Sequence, residues 1–105
     1  MDIDKQKDML DELQNLLEQQ ILLVHQGNST GERFEALSSR TDFLVWEIAE
    51  MKVLERDEMK DRRTQLKKSY DKLRLALTAQ KDDVTDKLSQ IRRGRKTIGT
   101  YRDNI

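Results

Sequence analysis

Apolar side chains recur every seven residues along most of this chain. Ile3, Leu10, Leu17 and Val24 keep that spacing near the N-terminus; Leu37, Leu44 and Met51 keep it in the middle; Tyr70, Leu77, Val84, Ile91 and Ile98 keep it in the last third. Leu13, Phe34, Thr41, Ile48, Leu66, Leu73 and Leu88 stand three or four residues away and complete the stripes. The spacing gathers apolar groups on one face of an α-helix, and only packing against other helices buries that face. No proline interrupts it. The pattern predicts an all-α protein of one domain over residues 1–105: an antiparallel helical hairpin extended to a three-helix bundle or a long coiled coil.

The first helix is predicted over residues 2–26, with Asp2 as its N-cap. Met9, Leu16 and Leu23 flank Leu10, Leu17 and Val24, which makes a face wide enough for more than one neighbouring helix. Gly27 suits the left-handed position that ends a helix, and His25 in the last turn suits the dipole there. Residues 27–31, Gly27-Asn28-Ser29-Thr30-Gly31, read as a loop, with Ser29 and Glu32 as a capping box for the next helix. That second helix, over residues 32–57, carries Phe34, Leu37, Thr41, Leu44, Ile48 and Met51. So short a loop between two long amphipathic helices makes an antiparallel pair.

The following boundary has two readings. Between Arg56 and Gln65 the only apolar residue is Met59, and the step from Met51 to Met59 slips the heptad by one. No glycine or proline marks a break there. A tight turn near residues 56–64 gives three antiparallel helices, the third over residues 62–93. A continuous helix from residue 31 to past 90 would be about 90 Å long and would need a second copy or a partner to cover its stripe. Gly94 and Gly99 interrupt the C-terminal end, each at about 1 kcal/mol relative to alanine in a helix. Residues 94–105 are therefore expected to form a basic, partly ordered tail that orders on contact.

Composition narrows the function. Charged residues make up 38% and hydrophobic residues 35%, with one Trp, two Tyr and two Phe, a balance typical of solvated helices rather than of an enzyme with a deep pocket. The formal net charge is zero but unevenly spread. Asp2, Asp4, Asp8, Asp11, Glu12 and Glu18 make the first twenty residues acidic; Arg92, Arg93, Arg95, Lys96 and Arg102 make the last fifteen basic. In an antiparallel bundle those two ends could neutralise each other. With no cysteine, disulfides and thiolate metal sites are excluded. The longest apolar runs, residues 21–24 and 43–46, fall far short of the roughly 20 residues a membrane span needs. The acidic N-terminus lacks a signal-peptide pattern, so a cytoplasmic location is expected and Asn28-Ser29-Thr30 reads as a turn rather than a glycosylation site.

Candidate chemistry is sparse. His25, the single histidine, precedes a loop with no triad partner, so no enzymatic activity is expected. Asp82, Asp83 and Asp86 beside Lys81 and Lys87 read as helix-surface pairing rather than a metal site, and no cofactor is expected. Gly94 to Gly99 followed by Thr100 has the spacing of a phosphate loop but lacks its lysine and its preceding strand. The cluster Arg92, Arg93, Arg95 and Lys96 reads either as a solvated helix end or as a protein docking surface. Interleaved acids elsewhere leave no extended positive stripe, so nucleic acid is not an expected partner. In Phe43-Leu44-Val45-Trp46, at least one of Phe43, Val45 and Trp46 must lie outside the main seam. The run reads as part of a wide core or as an apolar groove for a partner helix.

Two stretches carry a family resemblance. Leu16-Leu17-Glu18-Gln19-Gln20 leading to the 27–31 loop resembles the opening of flagellar export chaperones of the FlgN type. The ending Leu88-Ser89-Gln90-Ile91-Arg92-Arg93-Gly94-Arg95-Lys96-Thr97-Ile98-Gly99-Thr100-Tyr101 is similar to the family's closing pattern, a basic apolar helix with a glycine flanked by lysine or arginine and a tyrosine one to two turns later. The resemblance implies an all-helical cytoplasmic chaperone without enzymatic activity. Such a protein binds the C-terminal segment of hook–filament junction subunits and delivers them to the type III export apparatus. On this reading Tyr70, Leu73, Leu77, Val84, Leu88 and Ile91 carry the client, Ile98 and Tyr101 contact the client or the export gate, and Arg92, Arg93, Arg95 and Lys96 form a docking surface. The alternatives are a structural coiled coil that self-associates as a homodimer and a nucleic-acid accessory protein using the basic segment.

Overall fold

The computed structural model describes residues 3–79 and 85–99. Among them are four α-helices and no strand: α1 (Ile3–His25), α2 (Glu32–Glu50), α3 (Lys60–Thr78) and α4 (Thr85–Gly99). The all-α bundle is the class the periodicity predicts. Side-chain pairs set the directions. Glu12 meets Arg40 and Gln20 meets Ser38, so α1 and α2 run antiparallel. Asp11 meets Arg62 and Gln14 meets Ser69, so α1 and α3 run parallel. Tyr70 lies against Gly94, and Asp71 meets Arg95. Glu35 meets Lys87 and Asp42 meets Gln90, which makes α2 and α4 parallel. The result is an up-down-up-down bundle in which α1 packs on α2 and α3, and α4 closes the fourth side against α3 and, more loosely, α2. The molecule measures 40 × 25 × 19 Å.

The first connection is built as its glycine demands. Gly27 has φ +79, and the amides of Gly27 and Asn28 reach back to the carbonyls of Val24 and Leu23 at 3.0 and 2.8 Å, closing the end of α1. The Ser29–Glu32 capping box does not form. Gly31, in extended conformation, is the N-cap of α2 and makes no side-chain cap bond. Glu32 is then the first helical residue rather than the third, and Ser29 is buried.

The second connection spans residues 51–59, earlier than the predicted turn, and it is part of the core. Two short 3₁₀ turns, Val53–Glu55 and Asp57–Met59, bring Val53, Leu54 and Met59 to 0% exposure. Lys52 starts the reversal in the left-handed region, a conformation costing about 1 kcal/mol for a residue with a Cβ. The Arg63 guanidinium donates to the Leu54 carbonyl and ties this cap to α3. The heptad slip between Met51 and Met59 thus marks a turn that keeps its own apolar anchors.

The single helix predicted over residues 62–93 is instead two. α3 ends at Thr78 and α4 begins at Thr85. Unbroken, the helix would run about 48 Å, well past the roughly 35 Å of the 23-residue α1, and its far half would face water. Folded back, Ile91 and Ile98 cover the stripe of Leu66, Tyr70, Leu73 and Leu77, and all six are buried. Nor does the chain leave the helix at Gly94, where the tail was expected to begin. α4 continues to Gly99, and residue 94 is glycine for a different reason: a Cβ there would lie 2.6–2.9 Å from the Tyr70 ring atoms and Oη. Glycine there buys a close approach between helices.

A buried polar cluster sets the register of the first hairpin. Gln20 donates to Thr41 Oγ1 and to the Leu16 carbonyl, Ser38 donates to Gln20 Oε1, and Thr41 donates to the Leu37 carbonyl. A one-turn slip would leave these groups buried without partners, each costing about 1–3 kcal/mol.

Candidate functional site

Most of the side chains expected to hold a client face inward. Tyr70, Leu73, Leu77, Ile91 and Ile98 are at most 5% exposed, and Leu88 is half-buried against the same core. Their partners are α1, α2 and each other, so in this conformation they offer no surface to a second protein. Val84 and Tyr101 lie outside the described residues.

Next to Tyr70 is a narrow cleft where all four helices meet, lined in part by Gln20, Thr41, Asp42, Leu73 and Gln90. Tyr70 Oη is buried there without a hydrogen-bond partner. Burial, and secondarily the Asp42 charge, push its hydroxyl well above the usual tyrosine range. Much of Asp42 is open to solvent, yet its carboxylate borders this cleft. Loss of water there raises its pKa, against the opposing pull of Arg93 and of the Gln90 hydrogen bond. A carboxylate whose folded pKa lies above its unfolded value stabilises the protein below the unfolded value and loses that contribution as pH rises through the folded one. Asp42→Asn, which keeps an acceptor for Gln90, is therefore expected to raise the thermal midpoint slightly at pH 7. The gap to the parent should close as pH falls through the carboxylate range; melts at pH 7 and pH 3 check this.

The basic residues of α4 divide. Arg95 is half-buried and bonded to Asp71 of α3 at 2.6 Å, so it joins two helices. Arg92, Arg93 and Lys96 are exposed. Arg92 and Lys96 adjoin a groove along α3 that also holds Lys60, Thr64, Lys67 and Lys68, while Arg93 lies on the α2 side with Glu35, Lys87 and Gln90. Among the described residues the acidic α1 and the basic α4 meet counter-charges on the middle helices: α1 pairs with α2 and α3 through Glu12–Arg40 and Asp11–Arg62, and α4 pairs with α3 and α2 through Arg95–Asp71 and Lys87–Glu35.

Among the described residues the most exposed aromatic surface is on α2. Leu44 and Val45 turn inward, while Phe43 is 49% and Trp46 60% exposed. Phe43 and Trp46 stand three apart on the outer face. Ala36 and Ser39, seven residues before each, continue the same line. The outer face of α2 therefore carries a second heptad stripe, rotated away from the one that builds the core. Glu32 and Glu50 end the stripe, and both are exposed. Arg40 lies 5.5 Å from the Phe43 ring centroid and forms a two-pronged pair with Glu12 at 2.8 and 3.1 Å, which holds the Glu12 carboxyl below its ordinary range. Trp46 was flagged in the sequence because four consecutive apolar residues cannot share one face. Ala36 and Ser39 were not, since small residues carry no hydropathy signal. The surface is a convex helix face rather than a groove.

Among the described residues no three His, Cys, Asp or Glu side chains converge as metal ligands, and no helix is long and apolar enough to cross a membrane. A scan of protein-family models and searches of curated proteins and of solved structures return no match to this chain.

Proposed function

We propose that this chain is a non-enzymatic cytoplasmic chaperone that shields an amphipathic helix of a client protein. The client implied by the resemblance to flagellar export chaperones of the FlgN type is the C-terminal segment of a hook–filament junction subunit, bound reversibly and handed to the type III export apparatus. The observation that carries the reading is the Phe43–Trp46 stripe: among the described residues Leu22, Met51 and Leu75 are also exposed but stand singly at separate places, whereas Phe43 and Trp46 set two aromatic rings in line on one helix. Aromatic side chains in heptad line are what a partner helix packs against. Since Tyr70, Leu73, Leu77, Ile91 and Ile98 serve the core, the reading moves the client surface to α2.

The test is titration calorimetry of the full chain against the C-terminal segment of a junction subunit from the same genome, with Trp46→Ala beside it. One-to-one binding, weakened about tenfold or more by a substitution that leaves the far-ultraviolet spectrum unchanged, is the expected result. Absence of binding to the full chain sinks the chaperone assignment.

A further inference from the structure

The outer face of α2 also specifies the chemistry of what covers it. Resting on the reading of that face as a binding surface, we infer that its occupant is an amphipathic helix carrying cations at both ends of its apolar stripe. The line Ala36, Ser39, Phe43, Trp46 alternates with the period of a helix–helix seam and contains no charge. It is bounded by Glu32 and Glu50, eighteen residues and about 27 Å apart along the helix. Glu47 adds a third carboxylate beside Trp46.

The two acids at the C-terminal end are the informative ones. Glu47 and Glu50 occupy the last turn of α2, where the helix dipole is negative, and that turn contains no base to offset them. Within the chain this placement is unfavourable, and a cation delivered by a partner reverses the sign of the interaction. Bases on the same helix do so only in part: Arg40 feels the Glu47 charge but is already held by Glu12 and by the Phe43 ring, and Arg33 lies at the opposite end.

A second copy of α2 is the competing occupant, and shape alone would admit it. In an antiparallel pairing Ala36 faces Trp46 and Ser39 faces Phe43, small against large throughout. The same register sets Glu32 against Glu50 at both ends of the seam, and like charges across an interface suppress the wrong partner. A helix with lysine or arginine at those positions keeps the shape match and removes the repulsion. Its large apolar residues would lie over Ala36 and Ser39, and its small ones over Phe43 and Trp46.

Trp46 is the single tryptophan, so its fluorescence reports this face alone. The experiment titrates the full chain at low salt with two synthetic helices sharing one apolar pattern, one ending in lysines and one in glutamates. Expected are a blue shift of Trp46 emission with the lysine helix, affinity at least tenfold above that of the glutamate helix, and a gap that narrows as salt is added. Glu47→Lys with Glu50→Lys should reverse the preference. Equal affinity for both helices, binding seen by calorimetry without any Trp46 shift, or a concentration-dependent dimer in sedimentation at pH 7 would each overturn the inference. The junction-subunit segment is a separate arm. If the lysine helix binds at Trp46 and that segment does not, the client assignment fails and the charge rule stands. If the segment binds and the two helices do not differ, the charge rule fails and the chaperone assignment stands.

Discussion

Leu73→Ala is expected to lower the folding free energy by about 3 kcal/mol, read as a shift of the urea midpoint at unchanged slope. Leu73 is fully buried at the four-helix junction, where it shares the wall of the central cleft with Leu17 of α1 and Ile91 of α4. Truncating it removes the transfer energy of the lost methyl groups and leaves a cavity that three packed helices cannot fully collapse. In a domain whose total stability is about 5–15 kcal/mol, that is a large fraction. Leu75→Ala, two residues along the same helix at 60% exposure, is the control and should stay within about 0.5 kcal/mol of the parent. The pair discriminates between two uses of the α3 stripe. If Leu73 met a client rather than α4, its loss would weaken binding and leave the urea midpoint where it was.

Gly94→Ala should also destabilise, by about 1–2 kcal/mol, although helix propensity alone favours alanine by about 1 kcal/mol. The added Cβ would stand 2.6 Å from Tyr70 Oη and 2.9 Å from Cε1 and Cζ. The Tyr70 ring is 1% exposed and cannot swing out of the way, so α4 must lift from α3. Combining the change with Tyr70→Phe removes the nearest of those atoms, and with it a buried hydroxyl that has no partner. The double variant is expected to recover part of the loss. Thermal melts give the net effect, and hydrogen exchange at the α4 amides locates it. A Gly94→Ala protein more stable than its parent would mean that α4 is not seated on Tyr70.

These expectations show where reading the chain succeeds and where it stops. The α1–α2 hairpin was legible because its signals are local: heptads that stay in phase, and Gly27 at a position requiring positive φ. The wide face of α1, with Leu16 and Leu23 beside Leu17 and Val24, announced two neighbours, and α1 has them in α2 and α3. The turn after α2 was visible only as a phase slip. Its placement at residues 51–59 depends on Val53, Leu54 and Met59 reaching the core through a left-handed Lys52, which no propensity favours. The break between α3 and α4 left no glycine or proline at all, since what divides the two helices is the length of the bundle they must cover. Gly94 was misread for the same reason. A glycine that ends a helix and one that admits a neighbouring ring are identical until the neighbour is known.

By itself, then, the sequence determined that this protein is a helical bundle, which residues supply its stripes, and that Phe43, Val45 and Trp46 could not all be inside. Those are consequences of periodicity, which each helix carries on its own. Tertiary structure decided that the stripe of α3 is covered by α4 of the same molecule, and that the acidic and basic ends are each matched by a middle helix. It also decided that the aromatic line left over is the one on α2. Such choices depend on which surfaces compete for burial. That competition is settled between elements far apart in the chain, where a stripe folded back on its own molecule avoids the entropic cost of recruiting a second one.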